Sequence, residues 1–430
     1  MLSPNPRRSV WLRRNICPLV FALTFASASH AQTFTVLHSF TGGADGAHPA
    51  AGLTIDQAGS LYGTTVGATG SVFSLSNQGS GWVLNPLFRF SGGSGGFNPE
   101  AGVVFGPDGS LYGTTEDGGV GKPTVHGGPG CGLGCGTVFQ LSPSGSGWTE
   151  SVIHRFTGGS DGEYPIDADN LIFDQVGNLY GTTELGGMGL GVCDGNGCGT
   201  VFKLSPSGSG WMESVLYKFP DGSGGSRPFA GLIFDQAGNL YGTTVTGGIP
   251  GPDCLTDGCG MVFQLSPSES GWTESVLYTF TGESDGSAPY AGLIFDRAGN
   301  LYGATFYGGE FGSGTVFELT PSNGSWTLET LYSFIGGNGP QHNLVMDEAG
   351  NLYGATESGG RTNAGTVFEL TPNGKEGWTY TSLHDFCTGS DCSDGLAPDS
   401  NVIFDANGNL YGTAYYGGTN NDGVVWEITP

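Results

Sequence analysis

The chain has 430 residues, 82 of them glycine and 23 proline, and sets 39 acidic against 13 basic side chains for a net charge of −26. That excess repels phosphate and anionic headgroups, which argues against nucleic acid or an acidic membrane surface as partner. Abundant glycine without a triplet period, beside 12% aromatic residues, excludes both collagen and a solvating disordered tail.

The chain opens on a positive segment, with Arg7, Arg8, Arg13 and Arg14, followed by an apolar stretch from Ile16 to Ala28 and the small-residue site Ser29-His30-Ala31. This reads as a secretory signal peptide over residues 1–31, leaving 32–430 as the folded domain. The apolar run is shorter than the roughly 20 residues that span a bilayer, and no other stretch comes close. A secreted or periplasmic location is expected, with no transmembrane segment after cleavage.

From there a repeat organises the chain. Leu-Tyr-Gly recurs seven times, with its tyrosine at Tyr62, Tyr112, Tyr180, Tyr241, Tyr302, Tyr353 and Tyr411. Intervals of 50 to 68 residues belong to solenoids, propellers or arrays. The fourth copy predicts four short strands, Ala230 to Asp235, Asn239 to Thr244, Gly260 to Ser266 and Trp272 to Phe280. The link Asp235-Gln236-Ala237-Gly238 suits a tight hairpin, with aspartate as side-chain cap and glycine where φ is positive. The second copy substitutes Gly106 for the aspartate.

The two ends decide between an open solenoid and a closed ring. Thr33 to Phe40 matches a fourth strand, whereas the chain stops at Gly423 to Thr429, which matches a third. The N-terminal strand fills that vacancy and leaves no open edge. The expected fold is an all-β, seven-bladed β-propeller of four-stranded blades, closed by the N-terminal strand joining the last blade. Recurrent aromatics on the third strand (Phe202, Phe263, Phe317, Phe368) and at the start of the fourth (Trp148, Trp211, Trp272, Trp326, Trp378) are read as packing between blades.

Strand direction sends the long two-to-three loops and the blade-to-blade links to one face, where variable loops on a rigid scaffold usually bind. Eight cysteines fall into close pairs there, Cys131/Cys135, Cys193/Cys198, Cys254/Cys259 and Cys387/Cys392. Export and the short spacings favour four local disulfides over zinc sites. The same face carries acidic, glycine-rich segments whose oxygens suit Ca²⁺. The candidate ligands are Asp161, Glu163, Asp167 and Asp169, then Asp385, Asp391, Asp394 and Asp399, with Asp253 and Asp257 a thinner pair. Turn capping and solubility account for the same residues without an ion. His38, His154 and His384 alternate with Phe and Tyr at one repeat position, which reads as packing. The strings Gly92-Gly93-Ser94-Gly95-Gly96 and Gly282-Glu283-Ser284-Asp285-Gly286 resemble a nucleophile elbow but lie in repeated turns, outside the strand-to-helix context that gives it meaning.

The strings Ala291-Gly292-Leu293-Ile294-Phe295-Asp296, Gly299-Asn300-Leu301-Tyr302-Gly303 and Gly314-Thr315-Val316-Phe317-Glu318-Leu319 resemble the bacterial extracellular tandem-repeat family, the GloVer-containing, choice-of-anchor repeat proteins. The resemblance covers the chain after the leader and implies an exported repeat protein, with no reaction or catalytic residue to carry over. With the chain ending at Pro430 inside its last blade, the expectation is a free monomer rather than an anchored one. The expected function is non-catalytic: a binding or scaffolding propeller whose acidic, disulfide-stiffened face meets a glycan or protein, so that an enzyme is not the favoured reading. The alternative is an extracellular polysaccharide-acting enzyme, a lyase or glycosidase, using carboxylates of that face, for which Asp169, Glu184 and Asp257 are examples. Two acids on neighbouring blades converging beside an exposed aromatic in the channel mouth would favour the enzyme, and without them the binding reading stands.

Overall fold

The computed structural model describes residues 1, 32–120, 131–165, 171–187, 193, 197–220, 224–248, 250–251, 254, 257–374 and 377–430. The expected signal peptide beyond Met1, and Asp167, Asp169 and Asp253, lie outside the described residues. Among the described residues there are seven four-stranded antiparallel sheets. The fourth consists of Ile233–Phe234, Leu240–Thr244, Met261–Ser268 and Gly271–Thr279, hydrogen-bonded in chain order. The seventh is completed by Thr33–Ser39, which runs antiparallel to Val424–Thr429 with Thr33 opposite Thr429 and Ser39 opposite Val424. The protein is a seven-bladed propeller clasped by its N-terminal strand.

The first strand of each blade is shorter than the sequence suggests. Ile233 and Phe234 alone pair, with Tyr241 and Leu240, because Asp235 is spent on the turn. Its Oδ1 accepts from the backbone N–H of Ala237 and Asn239 at 2.8 and 2.9 Å, and its Oδ2 accepts from the Tyr241 hydroxyl at 3.1 Å. The tyrosine of the repeat thus locks the hairpin that precedes it. In the second blade, where Gly106 stands at the aspartate position, Asp108 accepts the Tyr112 hydroxyl at 3.1 Å instead.

The glycine of Leu-Tyr-Gly has a packing reason. Gly242 lies opposite Phe263, and a Cβ there would come within 2.7 Å of the ring. Gly63, Gly113, Gly303 and Gly354 meet the aromatic ring of their own third strand in the same way, and Gly412 meets Trp426. Each buried ring sits in a hydrophobic cluster shared by two blades; Phe263, for example, packs with Tyr180, Val201 and Phe219 of the blade before. The strand-four tryptophans pack at the edges of these clusters, so both sets of aromatics are core.

Hydroxyls stitch blade to blade. Thr64 and Thr243 donate to the carbonyls of Ala101 and Ala291 in the next blade at 2.9 and 3.0 Å. Thr413 donates to Ala51 at 3.1 Å across the closure, so last and first blades meet through the same bond that leads from blades one, three and four to the next. All four cysteine pairs are joined as disulfides, Cys131–Cys135, Cys193–Cys198, Cys254–Cys259 and Cys387–Cys392. Among the described residues, no helix is long and apolar enough to cross a membrane.

Candidate active site

The chain enters each blade through a residue, a buried proline and a half-buried residue: His48-Pro49-Ala50, Asn98-Pro99-Glu100 and Arg227-Pro228-Phe229 are three copies. Six of the seven pre-proline residues hold φ between 51° and 60°: His48, Asn98, Tyr164, Arg227, Ala288 and Ala397. Their backbones do one job. The N–H of Tyr164, Arg227 and Ala288 bonds the carbonyl of Cys135, Cys198 and Cys259 in the preceding blade at 3.1, 2.9 and 2.8 Å. The carbonyl of the pre-proline residue then accepts from the residue that follows Leu-Tyr-Gly-x-x in its own blade, as Glu116 N–H to Asn98 at 3.0 Å and Tyr415 N–H to Ala397 at 2.9 Å. Link and second strand are therefore pinned together at the loop-face end of each innermost strand, and their side chains ring the mouth of the central channel.

Carboxyls gather in this ring. Asn98 Nδ2 donates to Glu100 Oε1 at 3.3 Å and also to Glu116 Oε2. Burial, then the charges of Glu100 and Asp117, push the Glu116 carboxyl up to about 8. Burial raises Glu100 as well, opposed by its hydrogen bonds to Asn98 and Glu116 and reinforced by the charges of Asp399 and Asp117. Asp399 belongs to the link into the seventh blade and accepts from His342 Nε2 at 2.9 Å. The phenol of Tyr415 is raised by burial and by the charges of Tyr416, Glu100 and Asp399. Glu100 and Asp399, from the links into the second and seventh blades, thus both act electrostatically on one tyrosine. Elsewhere in the ring, burial raises Glu184 against the opposing charge of Arg227, whose Nη1 lies 3.8 Å from Glu184 Oε1. Phe229, Tyr290, Phe306 and Tyr307 form a continuous edge-to-face run with centroid spacings of 5.2, 5.4 and 4.6 Å.

The acids singled out from the sequence are dispersed. Asp161 accepts from Thr157 N–H at 2.9 Å and stands 3.9 Å from His154. Asp394 accepts from His384 Nε2 at 3.0 Å and from Cys387 N–H at 3.1 Å. Asp385 and Asp391 accept from Ser382 and Ser393 at 3.1 and 3.2 Å, and the Asp257 carbonyl accepts from Gly247 at 2.8 Å. Asp399 and Glu184 reach the mouth. Glu163 is buried, with a carboxylate oxygen and the sulfurs of Cys131 and Cys135 all within 4.8 Å of one another. Since those sulfurs are bonded to each other, the group opposes a carboxylate to a disulfide. Sequence reasoning missed Asn98, Glu100, Glu116, Arg227 and Tyr415. The usable signal was variation after Leu-Tyr-Gly-x-x, where the seven copies read Val66, Glu116, Glu184, Val245, Phe306, Glu357 and Tyr415.

The Gloeobacter/Verrucomicrobia repeat matches the chain over residues 123–252 and 252–430. The chain belongs to this repeat family. No curated protein matches the repeat protein. Among solved structures it is similar to a proposed 6-phosphogluconolactonase from Bacteroides uniformis, at 16% identity, 83% of this chain, 88% of that chain and a TM-score of 0.51. A second, from Bacteroides fragilis and of the same description, shares 16% identity over 90% of this chain and 89% of that one, with a TM-score of 0.46. The extracellular domain of a proposed hybrid two-component system from B. thetaiotaomicron shares 12% identity over 92% of this chain and 39% of that one, with a TM-score of 0.53. At these identities the likeness is one of fold. The expectation of a non-catalytic binding or scaffolding propeller, and of a chain better read as no enzyme, is corrected here. The propeller from Bacteroides uniformis is described as a proposed lactonase, so the architecture does not mark a scaffold. Within the repeat protein, burial raises the carboxyls of Glu100, Glu116 and Glu184 in the mouth and encloses Glu163 beside the Cys131–Cys135 disulfide, a desolvation cost that scaffolding alone gives no reason to bear.

Proposed function

We propose that the repeat protein is an exported enzyme that cleaves polysaccharide at the loop-face mouth of its channel. The observation that carries this reading is the pair Glu100 and Glu116 joined through Asn98, with the charge of Asp399 acting on Glu100 and Glu116 retaining its proton to about pH 8. A carboxyl protonated at neutral pH can give its proton to a glycosidic oxygen as the bond breaks, and a second carboxyl can stabilise or attack the developing cation. Glu116 takes the first role. Asp399, oriented by His342, is suited to the second, and the aromatic run from Phe229 to Tyr307 offers ring faces to sugar. The fold-level likeness to proposed sugar-phosphate lactonases is compatible with carbohydrate in such a mouth and supplies no residue roles. Export, with residues 1–31 as leader, would bring the enzyme to extracellular polymers.

The test is release of reducing ends from soluble polysaccharides (xylan, laminarin, pectin, carboxymethylcellulose) by residues 32–430 of wild type and of Glu116→Gln. Turnover by wild type that falls about 10²-fold or more in the variant, in line with loss of a general acid, supports the reading. Equal rates from both would remove Glu116 from the reaction.

A further inference from the structure

The six pre-proline residues at positive φ pose a physical problem that the fold does not answer. Left-handed backbone brings the Cβ of a non-glycine residue too close to the following carbonyl oxygen, and a following proline disfavours helical dihedrals further. Elsewhere this chain meets the same requirement with glycine, as at Gly46, Gly96, Gly162 and Gly225, two residues before His48, Asn98, Tyr164 and Arg227 respectively. The hydrogen bonds of the position involve only its backbone N–H and carbonyl. A methyl group is enough to make them, since Ala288 and Ala397 do so at φ 51° and 55°. Nothing in the blade-to-blade joint therefore calls for a long polar side chain.

Four consecutive links nevertheless carry one. His48, Asn98, Tyr164 and Arg227 enter blades one to four, whereas blades five to seven are entered through Ala288, Gly339 and Ala397. The mouth is thus lopsided, with one arc of long polar side chains and one of small residues. Each long side chain reaches other mouth residues. His48 Nδ1–H donates to the Tyr415 carbonyl at 3.1 Å and its ring stacks on Tyr415 with centroids 4.9 Å apart. Asn98 bridges Glu100 and Glu116, Arg227 faces Glu184 at 3.8 Å, and the Tyr164 phenol feels the charges of Glu163, Asp117, Glu116 and Glu184. All four are half-buried, so each keeps part of its surface open to solvent.

We propose that His48, Asn98, Tyr164 and Arg227, long polar side chains at link positions whose backbone needs only a methyl group, are the substrate-orienting residues of the mouth and decide which glycan it accepts. The proposal rests on the polysaccharide-cleaving reading for its ligand class, and it adds positions that this reading leaves unassigned. Long polar side chains retained at four neighbouring positions, where alanine holds the same φ elsewhere in the molecule, are explained by what they touch. The arc of Ala288, Gly339 and Ala397 leaves room for the chain of sugars those four hold.

The experiment compares each of the four positions as Ala and as Gly, in residues 32–430. It reads thermal unfolding, retardation in native gels containing xylan, laminarin, pectin or carboxymethylcellulose, and KM and kcat where turnover occurs. The Ala variants are expected to unfold within about 3 °C of wild type and the Gly variants at the same temperature or above it. Retardation by, or KM for, the recognised polysaccharide is expected to weaken roughly tenfold or more in the Ala variants, with kcat changing less for His48, Tyr164 and Arg227. Ala variants that unfold about 8 °C or more below wild type would assign the side chains to the fold and overturn the proposal. So would Ala variants of unchanged stability that bind and react as wild type does. Wild type that is retarded without turnover would sink the catalytic reading while still testing the orienting role by retardation. Wild type that none of the polysaccharides retards would overturn both.

Discussion

Three donors meet one carboxylate at Asp285: the Thr281 N–H at 2.9 Å, the Thr281 hydroxyl at 2.7 Å and the Tyr278 hydroxyl at 3.0 Å. Asp45 repeats the arrangement with His38 where the fourth blade has Tyr278, and Asp394 accepts from His384 and the Cys387 N–H. The link aspartate ties the end of the fourth strand to the glycine turn after it. Asp285→Ala should lower stability by about 1–3 kcal/mol, because three part-buried hydrogen bonds lose a charged acceptor together, and chemical denaturation would measure it. At Glu116 the sign of a pH effect follows from the direction of the shift. A carboxyl raised from 4.5 to about 8 binds its proton more tightly in the folded state. Its contribution is fully present below pH 4.5 and is lost as pH rises through 8. Stability of wild type should therefore fall more steeply than that of Glu116→Gln over this window, as denaturation at stepped pH would record. Composition could not separate such uses of acid, since capping, ion binding and proton storage all place Asp or Glu in glycine-rich turns. Only the neighbours that folding supplies distinguish them.

Gly242 and Phe263 make a blade-scale unit, one residue leaving room for the other. Gly242→Ala should destabilise by roughly 2–3 kcal/mol through overpacking against the ring. The penalty should shrink in a Phe263→Leu background, giving a coupling energy above about 1 kcal/mol in a double-mutant cycle. This element was legible in advance because every copy repeats it: Leu-Tyr-Gly, the aspartate turn and the third-strand aromatic are all repeat features. The ends of strands were less so. The first strand stops at two residues because Asp235 becomes a cap, and the third runs on to Ser268 because Pro267 lies opposite Trp272 and Ser268 opposite Gly271. Neither contact has a local sequence signature stronger than turn composition.

For the molecule as a whole, ring closure and site assembly have the same origin. The N-terminal strand and the Thr413–Ala51 bond join the last blade to the first. Removing residues 32–40 should leave an open edge, lower the unfolding temperature by 10 °C or more on the usual scaling, and promote association by strand pairing, visible in light scattering. The closure could be read from the sequence because an unpaired fourth strand and a missing one complement each other. The mouth could not, because Glu100, Glu116, Asp399 and Tyr415 come from the second and seventh blades and only the closed ring brings them together. Asp399 was singled out for its neighbours in sequence, Glu184 as one rim acid among many, and the others not at all. Carboxyl-carbon NMR of protein labelled with ¹³C at glutamate Cδ tests the central claim without a substrate. The account predicts one resonance that titrates near pH 8 and disappears in Glu116→Gln, whereas a Glu116 that titrates in the ordinary range near 4.5 would contradict it.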